Sequence, residues 1–417
     1  MVEDGHVPLA LVDQAAWRVV VLKLQLGLFE QPFVDPAIIP TVLLTDSSRA
    51  VALEVARQSM VLLKNDGTLP LAAGTQRIAV IGPLADAKRD MLGAWTLFGQ
   101  AEDVESIIEG IQATAGEGMS AYLPGCTLKG QEPLDLAGAV ALAESADLVI
   151  AVLGEGADMS GEARSRANLV LPGRQQELFD ALVATGKPVV VVLVTGRPLL
   201  LPALFEQANA VLVAWHPGIC AGRAVADLLF GAVSPSGRLS LTWPRSVGQI
   251  PIYYNHKNTG RPMEGSGVDQ FGEPFKSRYT DMPNEPLFPF GYGLGYAPIE
   301  YRNLVVQTPT VGRDGTLVVQ ATVENTGTYT TTEVVQCYIR DLVGSVTRPV
   351  KELKGFQRVS LAPGQPTVVE FRIPVADLAF VGPDLQWIVE PGQFHVWIGP
   401  HAAEGLQGSF EVRHEAR

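Results

Sequence analysis

Cysteine is scarce in this chain: Cys126, Cys220 and Cys337 are the only three in 417 residues. They are far apart, odd in number and form no CxxC pair, which excludes a zinc ribbon and a disulfide framework. Histidine is almost as sparse, and none of the six stands at HExxH or HxxxH spacing. The helical metal site is thereby removed, and only a structural metal held by oxygen ligands stays open. No cofactor is expected. Positive charge is in deficit, with 31 Lys and Arg against 44 Asp and Glu and a net charge of -13. An acidic surface repels phosphate backbones, so nucleic acid is excluded as a partner while neutral ligands such as sugars remain.

Long apolar runs are missing too. The most apolar stretch, Pro188 to Val194, is far too short to cross a bilayer, and Val19 to Phe29 is broken by Lys23 and Gln25. The opening MVEDGHVPLA is acidic where an export signal needs positive charge. As written, the chain is expected to be soluble and cytoplasmic, or periplasmic if further residues precede Met1. What is present is core material: apolar residues make up 47% and charged residues 18%. Disorder is not indicated, and the length suits two to four domains.

Three textures follow one another. Apolar residues recur at helical spacing from Leu11 to Leu28 and stop at a turn-rich segment. Such a helix cannot bury its apolar side alone. From about Ser47 to Tyr296, near-continuous β-branched runs alternate with helical patterns. The predicted strands are Arg77–Gly82, Ala146–Gly154, Pro188–Gly196 and Asn209–Trp215, and the helices Ser47–Leu63, Gly173–Thr185 and Gly222–Phe230. Strands apolar on both faces belong to a mostly parallel, doubly wound α/β sheet covered by helices. From about Glu300 helical patterns end. Thr316–Asn325, Glu333–Arg340, Thr367–Ile373 and Gln393–Ile398 read as strands separated by turns, predicting an all-β sandwich of the immunoglobulin or fibronectin kind.

Ligands of open α/β sheets gather beyond the carboxyl ends of the strands. The richest such loop is Gly154 to Arg166, which holds three carboxylates, two arginines and three glycines. Its glycines miss the GxGxxG spacing, Ala181 stands where a Walker loop before Gly186-Lys187 needs glycine, and GxSxG is absent. Carboxylates among arginines instead suit proton transfer and the binding of hydroxyls, although a solvated surface loop has the same composition. Asp158, Ser165 and His216 match no nucleophile-elbow order. His216, after a strand, reads as a hydrogen-bonded strand-end residue or a substrate contact. Arg197, at another strand exit, reads as an ion-pair partner or a clamp on a loop.

The run Gln58 to Gly67 with Leu69-Pro70-Leu71 resembles the second domain of family-3 glycoside hydrolases. So do Ile78 to Asp86, Ser160 to Arg166, Leu171 to Gln175, Thr195 to Pro198, Ala226 to Gly231, Pro235 to Pro244 and Pro289 to Leu294. The resemblance is to the bacterial β-glucosidase branch that ends in a fibronectin-III-like domain. It implies a division into 1–46, a helix and linker left from an absent barrel; 47–299, the α/β sandwich; and 300–417, the fibronectin-III-like domain. It implies retaining hydrolysis of terminal β-linked glucosyl residues, with Glu162 as general acid/base. The nucleophile would come from a barrel on another polypeptide, about 5–5.5 Å from Glu162. Glu155, Asp158, Arg166, His216 and Arg278 are the expected substrate-binding residues. Where many relatives carry an acidic or amide residue, this chain has Cys220. The competing reading is a non-catalytic carbohydrate-binding or dimerisation module left from such an enzyme.

Nearly forty residues from Tyr253 to Phe290 lack periodicity, and loops of that length are commonly functional. Tyr253, Tyr254, Phe271, Arg278 and Tyr279 supply rings and cations for sugar faces and hydroxyls. The segment is expected to reach an active site, that of a neighbouring subunit included, which would make the chain a homodimer. The alternative is a linker packed on the chain's own β-sandwich. An apolar patch near Trp17 and Leu26 would favour association in its own right.

Overall fold

The computed structural model describes residues 1–417 other than 75, 117, 131–133, 264–266, 269–273 and 414–417. Phe271 and most of the glycine-rich stretch before Pro274 thus lie outside the described residues. By its contacts the chain divides into Met1–Val51 and Ala52–Arg417.

The first unit contains α1 (Leu9–Gln25) and a short helix α2 (Ile39–Val42), and α3 (Asp46–Ser59) begins in it. No residue of α1 is buried, and Trp17, Leu22 and Leu24 on it are exposed.

The second unit opens with a six-stranded sheet. Its strands are β1 (Val61–Asn65), β2 (Ile78–Ile81), β3 (Ser120–Leu123), β4 (Leu148–Gly154), β5 (Val189–Val194) and β6 (Ala210–Val213). The order across the sheet is β1-β6-β5-β4-β2-β3, all parallel except β1, which runs antiparallel to β6. The helices are α4 (Lys88–Met91), α5 (Ile107–Ala115), α6 (Leu136–Ser145), α7 (Gln175–Ala184), α8 (Pro202–Gln207) and α9 (Ala221–Leu229). Alternate strand residues point to opposite faces. Val80, Ile150, Val152, Val190 and Val192 therefore pack against α3, α5 and α9. Ala79, Ile81, Val149, Ala151 and Val191 pack against α6, α7 and α8. Both faces are covered, as the continuous apolar runs require.

Four strands and two helices fall where their patterns predict, within a few residues. The helix read as Ser47–Leu63 instead ends at Ser59, and Val61–Asn65 is a strand. A short apolar run buried on both sides reads alike as strand or helix, so periodicity could not separate them. β3 was missed because it is a four-residue, half-buried edge strand. Helix α5 carries a capping box: Glu109 N–H donates to Ser106 Oγ, and Ser106 N–H to Glu109 Oε2 at 2.7 Å.

The β region holds β7 (Ile299–Val306), β8 (Thr310–Gly312), β9 (Thr316–Asn325), β10 (Thr331–Asp341), β11 (Glu352–Leu361) and β12 (Pro366–Pro374). It continues with β13 (Phe380–Val381), β14 (Trp387–Ile388), β15 (Gly392–His401) and β16 (Glu404–Arg413). A five-stranded sheet, β11-β10-β15-β16-β8, faces a three-stranded one, β12-β9-β7, over a core that includes Val319, Val335, Phe371 and Phe394. The sandwich is tied to the α/β part by buried polar contacts. Arg238 donates to Glu333 at 2.7 Å and Gln336 Nε2 donates to the Gly291 carbonyl at 3.0 Å, while within the sandwich Tyr301 Oη–H donates to the other Glu333 oxygen at 2.9 Å.

Candidate active site

Strand order decides where the sheet can hold a ligand. The chain runs outward from β2 to β3, then returns across β2 to β4 and continues to β5 and β6. The order reverses between β2 and β4, so the loops leaving their carboxyl ends diverge and leave a crevice. A cleft of about 480 Å³ lies there. Arg89 and Asp90 on α4 and Ala94 and Trp95 just beyond it line the cleft from the segment after β2, Leu128 and Lys129 from the segment after β3, and Asp158, Ser160, Glu162 and Arg164 from the loop after β4.

The loop bearing Glu162 is held from beneath. At the end of β4, the buried Gln175 side chain pairs with the Gly154 backbone: Gly154 N–H donates to Oε1 at 2.8 Å and Nε2 donates to the Gly154 carbonyl at 2.9 Å. Gly154 has φ +136°, and a Cβ there would lie 1.8 Å from the Val194 carbonyl oxygen, so no side chain fits. Glu155, the next residue, is 0% exposed. Its carboxylate accepts from Arg166 Nη1 at 2.6 Å, Thr195 Oγ1 at 2.9 Å and Arg197 Nε at 3.2 Å. Arg197 Nη2 donates onward to the Met159 carbonyl, and to that of Arg164 at 2.7 Å.

That network revises two expectations. Glu155 is enclosed by protein donors and offers no oxygen to the cleft, and Arg166 spends its guanidinium on Glu155 and on the Val170 carbonyl at 3.2 Å. Both act as supports of the loop in this structure. A buried carboxylate must be paired to be tolerated, which explains why two arginines converge on it. Arg197 takes the clamp role left open for it.

His216 leaves β6 behind Trp215, a bulky residue held at φ +58°. That conformation costs of order 1–3 kcal/mol and persists only where surroundings enforce it. Here the indole N–H donates to the Ser59 carbonyl at 3.0 Å and the ring packs on Trp243. His216 Nδ1 lies 2.9 Å from the Asp90 carbonyl, and Nε2 lies 3.4 Å from Ser160 Oγ. A carbonyl only accepts, so Nδ1 carries the proton and Nε2 receives the Ser160 hydroxyl. Burial pushes the His216 pKa below its ordinary value, against the opposing pull of the Asp90 carbonyl and the nearby Asp90 and Glu155 carboxylates. Neutral His216 thus ties the loops after β2, β4 and β6 together. The hydroxyl it meets is that of Ser160, one residue before Gly161 in the loop after β4.

Asp158 and Glu162 both face the cleft and are exposed. Asp158 is paired with Lys129 at 2.7 Å, and that hydrogen bond holds its carboxyl below the usual range. Gly161 lets the chain turn into Glu162: its φ is +103°, and a Cβ would press to 2.9 Å of Ala94 Cβ. Trp95, 68% exposed, was not foreseen. Its signal was the aperiodic apolar cluster Trp95, Leu97 and Phe98 in a loop after a strand, but only the strand order shows that this loop borders the crevice. Arg278 does not belong to this group; it lines a separate cleft with Tyr253, Tyr254 and Tyr279.

Among the described residues, no three His, Cys, Asp or Glu side chains converge as metal ligands, and no helix is long and apolar enough to cross a membrane.

A family model described as glycosyl hydrolase family 3 C-terminal domain matches residues 60–296, and one described as fibronectin type III-like domain matches residues 333–402. A periplasmic β-glucosidase of Salmonella typhimurium is 40% identical over 99% of this chain, which covers 57% of that protein. A β-xylosidase of Formosa agariphila is 37% identical, over 93% of this chain and 53% of its own length. Among solved structures, a mutant β-glucosidase of Listeria innocua in complex with laminaribiose aligns with a TM-score of 0.91 at 36% identity, covering 99% of this chain and 56% of that one. The chain spans about half the length of the curated relatives it matches.

Proposed function

The chain belongs to glycosyl hydrolase family 3, and from that membership we propose that it supplies the acid/base half of a retaining β-glycosidase site acting on terminal β-linked glucosyl residues. The observation that carries the reading is Glu162, exposed in the switch-point cleft on a loop clamped by the Glu155, Arg166 and Arg197 network. An acid that protonates a departing glycosidic oxygen and then takes a proton from water must reach the substrate yet stay fixed in space. A surface carboxylate on a loop anchored from below meets both demands.

Around it, Trp95 presents an indole face on which a pyranose can stack, and Asp158, Arg89 and Arg164 can bond hydroxyls. The nucleophilic carboxylate belongs to a barrel outside these 417 residues. The exposed apolar side chains of α1 support this part of the reading, since apolar surface of that extent is normally covered by further protein. The relatives named β-glucosidase and β-xylosidase support a β-linked glucose-like or xylose-like sugar as substrate.

The test is reconstitution. The chain is fused to, or mixed with, the barrel of a family relative and assayed on an aryl β-glucoside. Turnover that depends on both parts and falls on Glu162→Gln supports the assignment. Turnover indifferent to Glu162→Gln removes it.

A further inference from the structure

A second cleft, of about 720 Å³, lies where the segment from Gln249 to Met263 and that from Ser277 to Phe290 meet the β-sandwich, and it shares no lining residue with the first. Its walls are fixed from within. The Tyr254 ring stacks on Phe290 with centroids 4.3 Å apart, and the Tyr254 hydroxyl accepts from Leu353 N–H at 3.2 Å. Val350 N–H donates to the His256 carbonyl at 2.9 Å, and Lys257 bridges to Pro349, so this side is pinned to the sandwich. On the other side, Ser277 N–H donates to the Arg261 carbonyl at 2.9 Å and the Tyr279 hydroxyl donates to the Gly248 carbonyl at 2.8 Å. Asn284 accepts from Tyr279 N–H at 3.0 Å and donates to the Ser277 carbonyl at 2.9 Å.

Once those bonds are made, a specific set of groups is left facing the cleft. Tyr253 is 54% exposed, and its side chain, like those of Lys257 and Asn258, makes no hydrogen bond to any described residue. Tyr279 is 37% exposed with its ring held in place through its hydroxyl. Lys257 and Arg278 stand with Glu285 along the lining, so no strong charge of either sign selects an ion. Aromatic faces beside amide and ammonium donors complement a molecule with flat apolar faces and a rim of hydroxyls. The volume falls within the range of about 300–1,000 Å³ usual for small-ligand sites.

We propose that this cleft is a second saccharide-binding site, taking a neutral oligosaccharide with a sugar ring against Tyr253 and hydroxyls bonded by Asn258 and Lys257. It goes beyond the acid/base reading of the first cleft and does not rest on it. It also gives the segment from Tyr253 onward a role within its own chain.

The experiment is calorimetric titration of the 417-residue chain with cellopentaose and with xylopentaose. The expected result is saturable binding of at least one sugar that Trp95→Ala, in the first cleft, leaves within twofold. Tyr253→Ala and Asn258→Ala should each weaken it at least tenfold, and Tyr253→Phe, which keeps the ring face, should retain it. Tyr253 is half exposed without a side-chain hydrogen bond to any described residue, so its truncation leaves the fold intact, as near-ultraviolet circular dichroism will verify. Absence of saturable binding of both sugars overturns the proposal. So does binding that survives Tyr253→Ala and Asn258→Ala while Trp95→Ala abolishes it.

Discussion

Arg197 and Glu155 form an ion pair of 3.2 Å below the loop that follows β4, and the same guanidinium holds the carbonyls of Met159 and Arg164. One side chain thus fastens the loop on both sides of Glu162. The pair contributes through what its loss would strand. Glu155 is fully enclosed, so without Arg197 a buried carboxylate keeps only part of its compensation.

Arg197→Ala should therefore cost about 3 kcal/mol or more of folding stability, visible as a lower midpoint in urea unfolding. Arg197→Lys should recover part of the loss, because an ammonium can pair with Glu155 but cannot also span both carbonyls. A midpoint unchanged in Arg197→Ala would show that Arg166 and Thr195 suffice.

Alone, the chain should turn over aryl β-glucosides several orders of magnitude more slowly than an intact family member, since removing one member of a concerted catalytic pair costs rate on that scale. Initial-rate assays on purified chain check this. Turnover like that of an intact enzyme would require a nucleophile within residues 1–417.

With a barrel supplied, Glu162→Gln should slow glycosylation by roughly 10²–10⁴-fold for poor leaving groups, the usual worth of general acid assistance. Activated aryl glucosides should suffer far less at that step, because their leaving groups depart without a proton. Equal loss across a leaving-group series would mark Glu162 as structural and turn attention to Asp158.

Burial lowers the pKa of both His216 and His401 in the folded chain. Below pH 6.5 the unfolded chain takes up protons at these positions that the folded chain resists. Their contribution is therefore fully present above the ordinary histidine range and is lost as pH falls through it toward the lowered folded values. Thermal unfolding between pH 7.5 and 5 should show a falling midpoint, and a His216→Gln, His401→Gln double variant should flatten that slope. An unchanged slope would assign the acid sensitivity to carboxylates.

The sequence by itself determined the sheet strands that are apolar on both faces, because residues such as Val149 to Leu153 and Val189 to Val194 have no polar edge to show solvent. It also determined the change to an all-β sandwich after Glu300, through alternation and turn residues, and it marked the Gly154 to Arg166 loop by composition. It did not separate that loop's exposed carboxylates from its buried one. Glu155 and Glu162 are the same residue type seven positions apart, and only the packing of Thr195, Arg166 and Arg197 around the first tells them apart. β1 escaped notice because its strand character comes from pairing with β6, a partner some 150 residues away. Trp95 and Arg278 were likewise placed by tertiary structure alone. The order of strands brings the loop after β2 beside the loop after β4, while the hydrogen bonds of the segment around Arg278 build a different cleft. Periodicity reports how one segment meets solvent and core. Which loops meet each other depends on long-range pairing, and that is a property of the folded chain.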